Sequence, residues 1–365
     1  MRAGFILLLV LHGLIHLMGF AKAFGYAELP QLQLPISKGM GVLWLVAGVA
    51  VIGAAVLLAV APRAWGMVAI VAALLSQIVI VSAWSDARFG TLANILLFAA
   101  GVYGFVAQGP FSFEAEYRRA IAAHPTPSVA APLVIEADLH PLPDPIQRYL
   151  HAVGVTGQPA IRSVRVVWQG RIRGAPDDPW MPFTAEQVNF IDDDSRYFHL
   201  RASKRGVPVD VLHRFEAGTA SMRVRLLSLF PLVDARGPEM NRAETVTIFN
   251  DIALLAPSGL ANPRIRWEAL DDRSARGFLT IGAHTVSAVL VVDDAGDLVD
   301  FISDDRLLAS PDGKTFTPTR WSTPITGYRA FGGRRVMHGG AGVWHAASGS
   351  YPYIELEVVD YRVNE

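Results

Sequence analysis

Four long apolar runs fill the first 110 residues and leave little freedom in how this part of the chain folds. They extend from Ala3 to about Phe20, from Met40 to Val60, from Trp65 to Trp84 and from Phe89 to Val106. A helix needs about 20 apolar residues to cross a bilayer. In hydrocarbon only a helix or a closed barrel satisfies its own backbone, so these runs predict four transmembrane helices. Trp44, Trp65, Trp84 and Tyr103 lie toward the run ends, where interfacial aromatics sit. The links Ala61–Ala64 and Ser85–Arg88 are short and predict antiparallel neighbours in a bundle. Charge follows the same division. Residues 1–110 hold five basic and two acidic side chains, which leaves 27 of the chain's 32 basic and 31 of its 33 acidic groups to the other 255 residues. That split excludes a single soluble globule and a disordered chain. The absence of cysteine excludes disulfides, thiolate metal sites, iron–sulfur clusters and a cysteine nucleophile. A net charge of −1 offers no nucleic-acid footprint.

Ala21-Lys22-Ala23 follows the first run and mimics a small-x-small cleavage site. A single leading Arg and two histidines inside the run argue against a signal peptide. With four spans both ends lie on one side. That side would carry Arg2, Arg63, Arg118 and Arg119, against Lys22, Lys38 and Arg88 on the other. The positive-inside rule then favours a cytoplasmic β domain by one charge. His12 and His16, spaced i and i+4, share a helix face. Gln77 and Asn94 could face them, and Asp86 lies in a loop at the same end as His16. Polar groups inside a span are costly. They read either as a proton relay or metal site, or as interhelical hydrogen bonding.

Phe111 to Arg119 mixes aromatics with arginine, which suits an interfacial helix or an extension of the fourth span. Six prolines between Pro125 and Pro145 make a semi-rigid spacer. Asp144-Pro145 predicts a helix start with Asp as N-cap. From Ile161 onward the apolar period becomes two. About a dozen runs alternate in this way, among them Ala220–Leu229 and Thr319–Tyr328, separated by turns such as Asp192-Asp193-Asp194 and Pro311-Asp312-Gly313. An antiparallel sheet of that size must curl or close. One helix interrupts it at 239–256. Met240, Ala243, Val246, Phe249 and Ile252 form a stripe, while Ile248, Leu254 and Leu255 lie off it, so the helix is covered on more than one side. The fold class is therefore an α-helical membrane bundle of four transmembrane helices followed by an α+β domain. That domain is a large curled antiparallel β-sheet or half-barrel with a helical lid. The expected divisions are 1–110, 111–145 and 146–365.

Catalytic signatures are absent: there is no Walker loop, no GxGxxG after a strand, no HExxH and no GxSxG. Asp192-Asp193-Asp194 lacks calcium-loop spacing and reads as a solvated turn. Asp304 reads as a buried ion-pair partner of Arg306 or another Arg. The sequence assigns no cofactor and no metal, and identifies no protein partner. If the sheet's inward residues do not fill its concavity, the space is an apolar ligand site. The candidate lining is Trp168, Phe183, Phe249, Trp267 and Trp321, with Glu244, Asn250 and Asp251 at the mouth.

Two stretches of the membrane part carry a resemblance: Leu11 to Phe24 (LHGLIHLMGFAKAF) and Trp84 to Asn94 (WSDARFGTLAN). So do Trp180-Met181-Pro182-Phe183, Met240 to Glu244, Phe249-Asn250-Asp251, Ser303 to Arg306 and Arg320 to Pro324. Over nearly its whole length the chain resembles an uncharacterised bacterial integral-membrane family in which a four-helix membrane part precedes a β domain. The resemblance implies the inner membrane as its place and is silent on activity. At the level of fold, the β domain is similar to lipoprotein-carrier half-barrels, which hold acyl chains under a helical lid. Three functions remain open. One is a membrane-anchored protein binding a lipid or other apolar small molecule beside the lipid bilayer. Another is a membrane enzyme or proton- or metal-handling protein using His12, His16 and Asp86. The third is a scaffold or signalling partner.

Overall fold

The computed structural model describes residues 2–125 and 129–365, so positions 126–128 of the proline spacer lie outside the described residues. The chain divides into two compact units, one ending at Glu116 and one beginning at Tyr117.

The first unit holds α1 (Arg2–Ala23), α2 (Lys38–Val60), α3 (Trp65–Ser82), the single turn α4 (Trp84–Ala87) and α5 (Gly90–Gln108). α6 (Phe113–Ala122) straddles the division. α1, α2, α3 and the helical stretch that starts with α5 are long and apolar enough to cross a membrane. α1 packs on α2, α2 on α3, α3 on α5 and α5 on α1, which makes an antiparallel ring. Large apolar side chains such as Leu7, Ile15, Val49, Ile78, Val81 and Leu92 are exposed on its outside, as a helix facing hydrocarbon requires. Small residues face inward. A Cβ on Gly48 would lie 2.8 Å from the Gly13 carbonyl oxygen, and one on Gly101 3.1 Å from the Ile70 backbone nitrogen. Contacts of this kind let two helix backbones approach when the solvent supplies no hydrophobic drive between them.

The second unit opens with α7 (Glu136–Leu139) and α8 (Asp144–Ala152). Asp144 is the first helical residue of α8 and Pro143 its cap, one residue earlier than the Asp-Pro signal predicts. Six strands follow: β1 (Ser163–Ile172), β2 (Met181–Phe190), β3 (Ser195–Lys204), β4 (Val207–Glu216), β5 (Thr219–Leu226) and β6 (Phe230–Arg236). After α9 (Pro238–Leu255) come β7 (Ile265–Asp271), β8 (Ser274–Ile281), β9 (His284–Val292), β10 (Leu298–Ser303), β11 (Leu307–Ala309), β12 (Phe316–Pro318), β13 (Arg320–Ser322), β14 (Ile325–Phe331), β15 (Arg334–Ala346) and β16 (Gly349–Val363).

Fourteen strands form one sheet in the order β6-β5-β4-β3-β2-β1-β16-β15-β13-β10-β9-β8-β7, with β14 on β15, and β11–β12 is a separate hairpin. Each strand pairing is antiparallel. The sheet is a half-barrel whose edges are β6 and β7. α9 is the connection between those two edges, and it packs on strands of both halves. From Ala243 to Ala256 every residue is buried. Gly237, at φ 107°, makes the turn into α9, and Pro238 follows at the first helical position. At the far end the Tyr149 hydroxyl donates to the Ala253 carbonyl at 2.7 Å and that of Tyr361 to the Leu255 carbonyl at 2.6 Å. These bonds satisfy carbonyls that a helix end leaves open.

Two expected strands are broken. Ala220–Leu229 splits at Leu227 and Ser228, both at positive φ (53° and 57°). They form a hairpin turn without the Asn-Gly that normally marks one. Thr319–Tyr328 splits at Thr323-Pro324 into β13 and β14, because proline cannot donate to a ladder. Substitution of Gly48 by Leu should lower the thermal midpoint of the detergent-solubilised chain, at a cost of about 1–3 kcal/mol for overpacking. Gly53→Leu, whose Cβ meets nothing within 4 Å, should leave it nearly unchanged. Circular dichroism melts compare the two, and equal effects would refute close backbone approach at Gly48.

Candidate functional site

The strand register lays out the inner wall. Val166, Gln187, Phe198, His213, Met222 and Ala235 stand opposite one another across β1 to β6. The row on one side is Val164, Asn189, Arg196, Phe215 and Ala220, and on the other Trp168, Ala185, Leu200, Val211 and Val224. Directly opposed residues share a face, so all three rows face α9. On α9, Glu244, Thr247 and Asp251 stand at i, i+3 and i+7 and share one side of the helix. Helix and sheet do not close on each other completely. A cavity of about 360 Å³ remains, within the range of ligand pockets. Trp168, Phe198, Leu200, Met222, Trp321 and Trp344 are among its walls, and Leu307, Leu308 and Phe316 of the β11–β12 hairpin complete one side.

One end of this cavity is polar. Asp251 Oδ2 accepts from Arg196 Nε at 2.7 Å and from Gln187 Nε2 and Asn189 Nδ2, each at 2.8 Å. Trp168 Nε1 donates to Gln187 Oε1 at 3.1 Å. Glu244 lies 3.7 Å from Arg196 Nη1, 3.4 Å from His213 Nδ1 and 3.4 Å from Arg306 Nη1, and accepts from the Thr247 hydroxyl at 3.1 Å. Arg306 also donates to the Ala243 carbonyl at 2.7 Å, and its guanidinium sits 4.6 Å over the Trp321 ring. Asn250 Nδ2 donates to the Thr323 hydroxyl at 2.7 Å. Burial raises the Asp251 carboxyl, against Arg196 and Asn189. Burial also pushes Glu244 up, but His213, Arg306 and Arg196 together outweigh it and hold that carboxyl low. Burial drives His213 down to about 4, ahead of the opposing pull of Glu244. His213 is therefore neutral at pH 7. Arginine can only donate, so the 3.2 Å contact with Arg196 Nη1 makes His213 Nδ1 the acceptor and leaves the proton on Nε2.

The sequence candidates divide. Trp168, Trp321, Glu244, Asn250 and Asp251 line the cavity. Phe183, Phe249 and Trp267 do not. Phe249 packs edge-on against Phe301 and Trp267, with ring centroids 5.4 and 6.2 Å apart, and Phe183 is 4% exposed in the same core. Glu244, Asn250 and Asp251 are at most 7% exposed and lie inside rather than at a mouth. Sequence reasoning missed Arg196, His213, Gln187 and Arg306. Their signal is the parity of β3, where Arg196 alternates in phase with Phe198 and Leu200. Asp304 pairs with Arg320 at 2.7 and 3.0 Å on the surface, not with Arg306 and not buried. Each aspartate of the 192–194 turn has a structural partner: Arg162 for Asp192, the Ser195 N–H for Asp193 and Arg264 for Asp194.

In the first unit the structure joins His12 and His16 to Ser76 and Asn94. His16 Nδ1 donates to the His12 carbonyl at 3.0 Å, so Nε2 accepts from the Ser76 hydroxyl at 2.8 Å. Asn94 Nδ2 donates to Gln77 Oε1 at 3.0 Å, which leaves its Oδ1 to accept from His12 Nε2 at 3.0 Å. Gln77 continues to the Thr91 hydroxyl at 3.2 Å. Asp86 is not brought to either histidine by a hydrogen bond. It accepts from the Leu34 N–H and the Ser85 hydroxyl, both at 2.8 Å, and these bonds hold its carboxyl below the usual range. Among the described residues no three His, Cys, Asp or Glu side chains are grouped to hold a metal.

Membrane-crossing helices joined to an open antiparallel half-barrel with a buried crossover helix define the class to which this chain belongs. Residues 132–356 match a family model, and the chain is a member of DUF6544, a family of unknown function. A comparison with curated proteins finds no match. Two solved structures are similar to the chain. One is a candidate outer membrane lipoprotein-sorting protein domain from Vibrio parahaemolyticus (12% identity, 55% of this chain and 85% of that one, TM-score 0.34). The other is a DUF1329 family protein from Desulfovibrio piger (11% identity, 63% of this chain and 92% of that one, TM-score 0.34).

The buried His213 and the half-buried Asp300 set opposite pH dependences. His213 titrates near 6.5 when unfolded and near 4 when folded. Its contribution is complete above pH 6.5 and is lost as pH falls toward 4, by about 3 kcal/mol. Asp300, raised by burial from 3.8 to about 6, stabilises below 3.8 and loses that contribution as pH rises through 6. Unfolding of the full chain by urea between pH 4 and 7 should therefore show a flatter acid limb for His213→Gln and a steeper one for Asp300→Asn. Parallel profiles for all three proteins would refute the assignment.

Proposed function

We propose that this protein is a membrane-anchored binding protein whose β domain shelters a lipid or other apolar small molecule. The observation that carries the reading is the cavity itself: about 360 Å³ of space between α9 and the sheet, with Trp, Phe, Leu and Met side chains prominent in its walls. Apolar lining of that kind gains when an apolar ligand takes it out of contact with water. The covalent tether to four apolar helices keeps the β domain near a bilayer, which makes lipid the ligand at highest local concentration. In this reading Trp168 and Trp321 contact the ligand. Phe183, Phe249 and Trp267 shape the cavity from behind, Asn250 and Asp251 hold α9 in place, and Glu244 does so through Oε1 alone. His12 and His16 serve the bundle, since each has a partner for the nitrogen that points across to another helix. We place the domain on the cytoplasmic side of a bacterial inner membrane, on the one-charge margin of the loops.

Native mass spectrometry of the full chain released from a mild detergent should find a bound small molecule, recovered by solvent extraction. Val211 lines the cavity, and Val211→Trp should abolish the adduct while leaving the melting temperature equal or higher. A wild-type chain that carries nothing after purification from its native membrane, and takes up nothing from added lipid, would sink the reading. A reporter fused to the C-terminus checks the side.

A further inference from the structure

The cavity has apolar walls, yet residues that line it carry buried polar atoms that no described part of the protein satisfies. Among the described residues, His213 Nε2, Trp321 Nε1 and Arg306 Nε donate to nothing, and Glu244 Oε2 accepts no hydrogen bond. All four residues line the cavity. Glu244 is 1% exposed, Trp321 3% and His213 9%. Buried polar groups are paired in the great majority of cases, and an unpaired one is expensive. Four at one cavity mark the place of a missing partner. With His213 protonated at Nε2, that partner meets three N–H donors and one carboxylate oxygen. It must therefore offer acceptors and at least one donor.

Charge narrows it further. Arg196 and Arg306 balance Glu244 and Asp251, and His213 is neutral, so the polar end already sums to zero. An anionic headgroup would face Glu244 and a cationic one Arg306, each in a site with no spare counter-charge. The remaining guanidinium on the lining, Arg173, is turned to the Pro352 and Pro176 carbonyls and stacks 4.4 Å from the Trp180 ring.

We propose that the ligand is a single-chain amphiphile with an uncharged hydroxyl headgroup, of which a monoacylglycerol is representative, bound head-first at His213, Trp321, Arg306 and Glu244. This rests on the reading of the cavity as a ligand site and adds the headgroup. One hydroxyl donates to Glu244 and accepts from two of the N–H groups, and the second hydroxyl accepts from the third. The chain lies along Phe198, Leu200 and Met222. A drug-sized cavity suits one chain rather than two.

The full chain, reconstituted in phosphatidylcholine nanodiscs, is titrated with monooleoylglycerol, oleate and hexadecane against a fluorescent hydrophobic probe. Monooleoylglycerol should displace the probe at least about tenfold more tightly than either competitor. Trp321→Phe keeps an aromatic ring and removes the N–H together with the pyrrole part of the indole. It should weaken monooleoylglycerol about three- to tenfold and leave hexadecane unchanged. Tighter binding of oleate overturns the uncharged headgroup. Equal binding of all three, or an equal loss for hexadecane in Trp321→Phe, overturns headgroup recognition and leaves the apolar cavity intact. If none of the three displaces a probe that does bind, the headgroup proposal fails. A probe that does not bind the wild type and does not bind Val211→Trp removes both proposals together. Should Trp321→Phe melt below the wild type by more than a few degrees, His213→Gln is measured against the same expectation.

Discussion

A helix buried on every side must find a partner for each polar side chain it carries, and in this protein that requirement organises the β domain. α9 brings Glu244, Thr245, Thr247, Asn250 and Asp251 into the interior. Leaving a carboxylate unpaired there would cost several kcal/mol. Asp251 is met by Arg196, Gln187 and Asn189 from β2 and β3. Glu244 is met by Arg196 and Arg306, the last from beyond β10. The carboxylates of one helix are thus answered from both halves of an open sheet. This fixes where α9 lies between edges that have no ladder joining them.

The same bonds account for the space. Apolar surfaces alone would settle the helix onto the sheet until the void closed, since packing is non-directional and a gap forfeits dispersion energy. Hydrogen bonds of 2.7–2.8 Å to Asp251 are directional and hold one side of the helix at a fixed distance. Aromatic side chains too large to follow the helix down stand along the remaining wall. A polar cluster at one end and rigid rings along the other keep open a cavity that either feature alone would allow to collapse.

How much of this is legible depends on which interaction sets each element. The four spans are read correctly because continuous apolar composition is a local property. α9 also reads correctly, from 239 rather than 238, since Gly-Pro begins it and Pro257 ends it. The sheet's antiparallel order follows from short turns. The breaks at Leu227-Ser228 and Thr323-Pro324 escape notice. The first places Leu227 and Ser228 at positive φ, where neither residue is favoured, with Ser228 hydrogen-bonded to Asp210, and the second hides in an alternating run. Arg196 and His213 are illegible for a deeper reason. On a strand, a polar residue in the inward phase looks like a misplaced outward one until the carboxylate it meets, here 55 and 31 positions away, is known. Phe183, Phe249 and Trp267 show the converse, because size and apolarity do not distinguish a ring that lines a cavity from one that packs behind it.

The two units settle their buried polar groups in different solvents, and the solutions differ accordingly. Inside the bundle the chain from His16 through Ser76, His12, Asn94 and Gln77 to Thr91 consists of uncharged donors and acceptors passed from helix to helix. Each bond there is worth about 0.6–2 kcal/mol, and formal charge in hydrocarbon would cost more than it returned. Under α9 the protein instead uses two arginines and two carboxylates, a set that gains from low dielectric only when every charge is answered. The bundle network ends on itself, each of its side chains having a hydrogen-bond partner within it. The cavity cluster does not: His213 Nε2, Trp321 Nε1, Arg306 Nε and Glu244 Oε2 stay unmet, and the proposed ligand is the partner that would meet them.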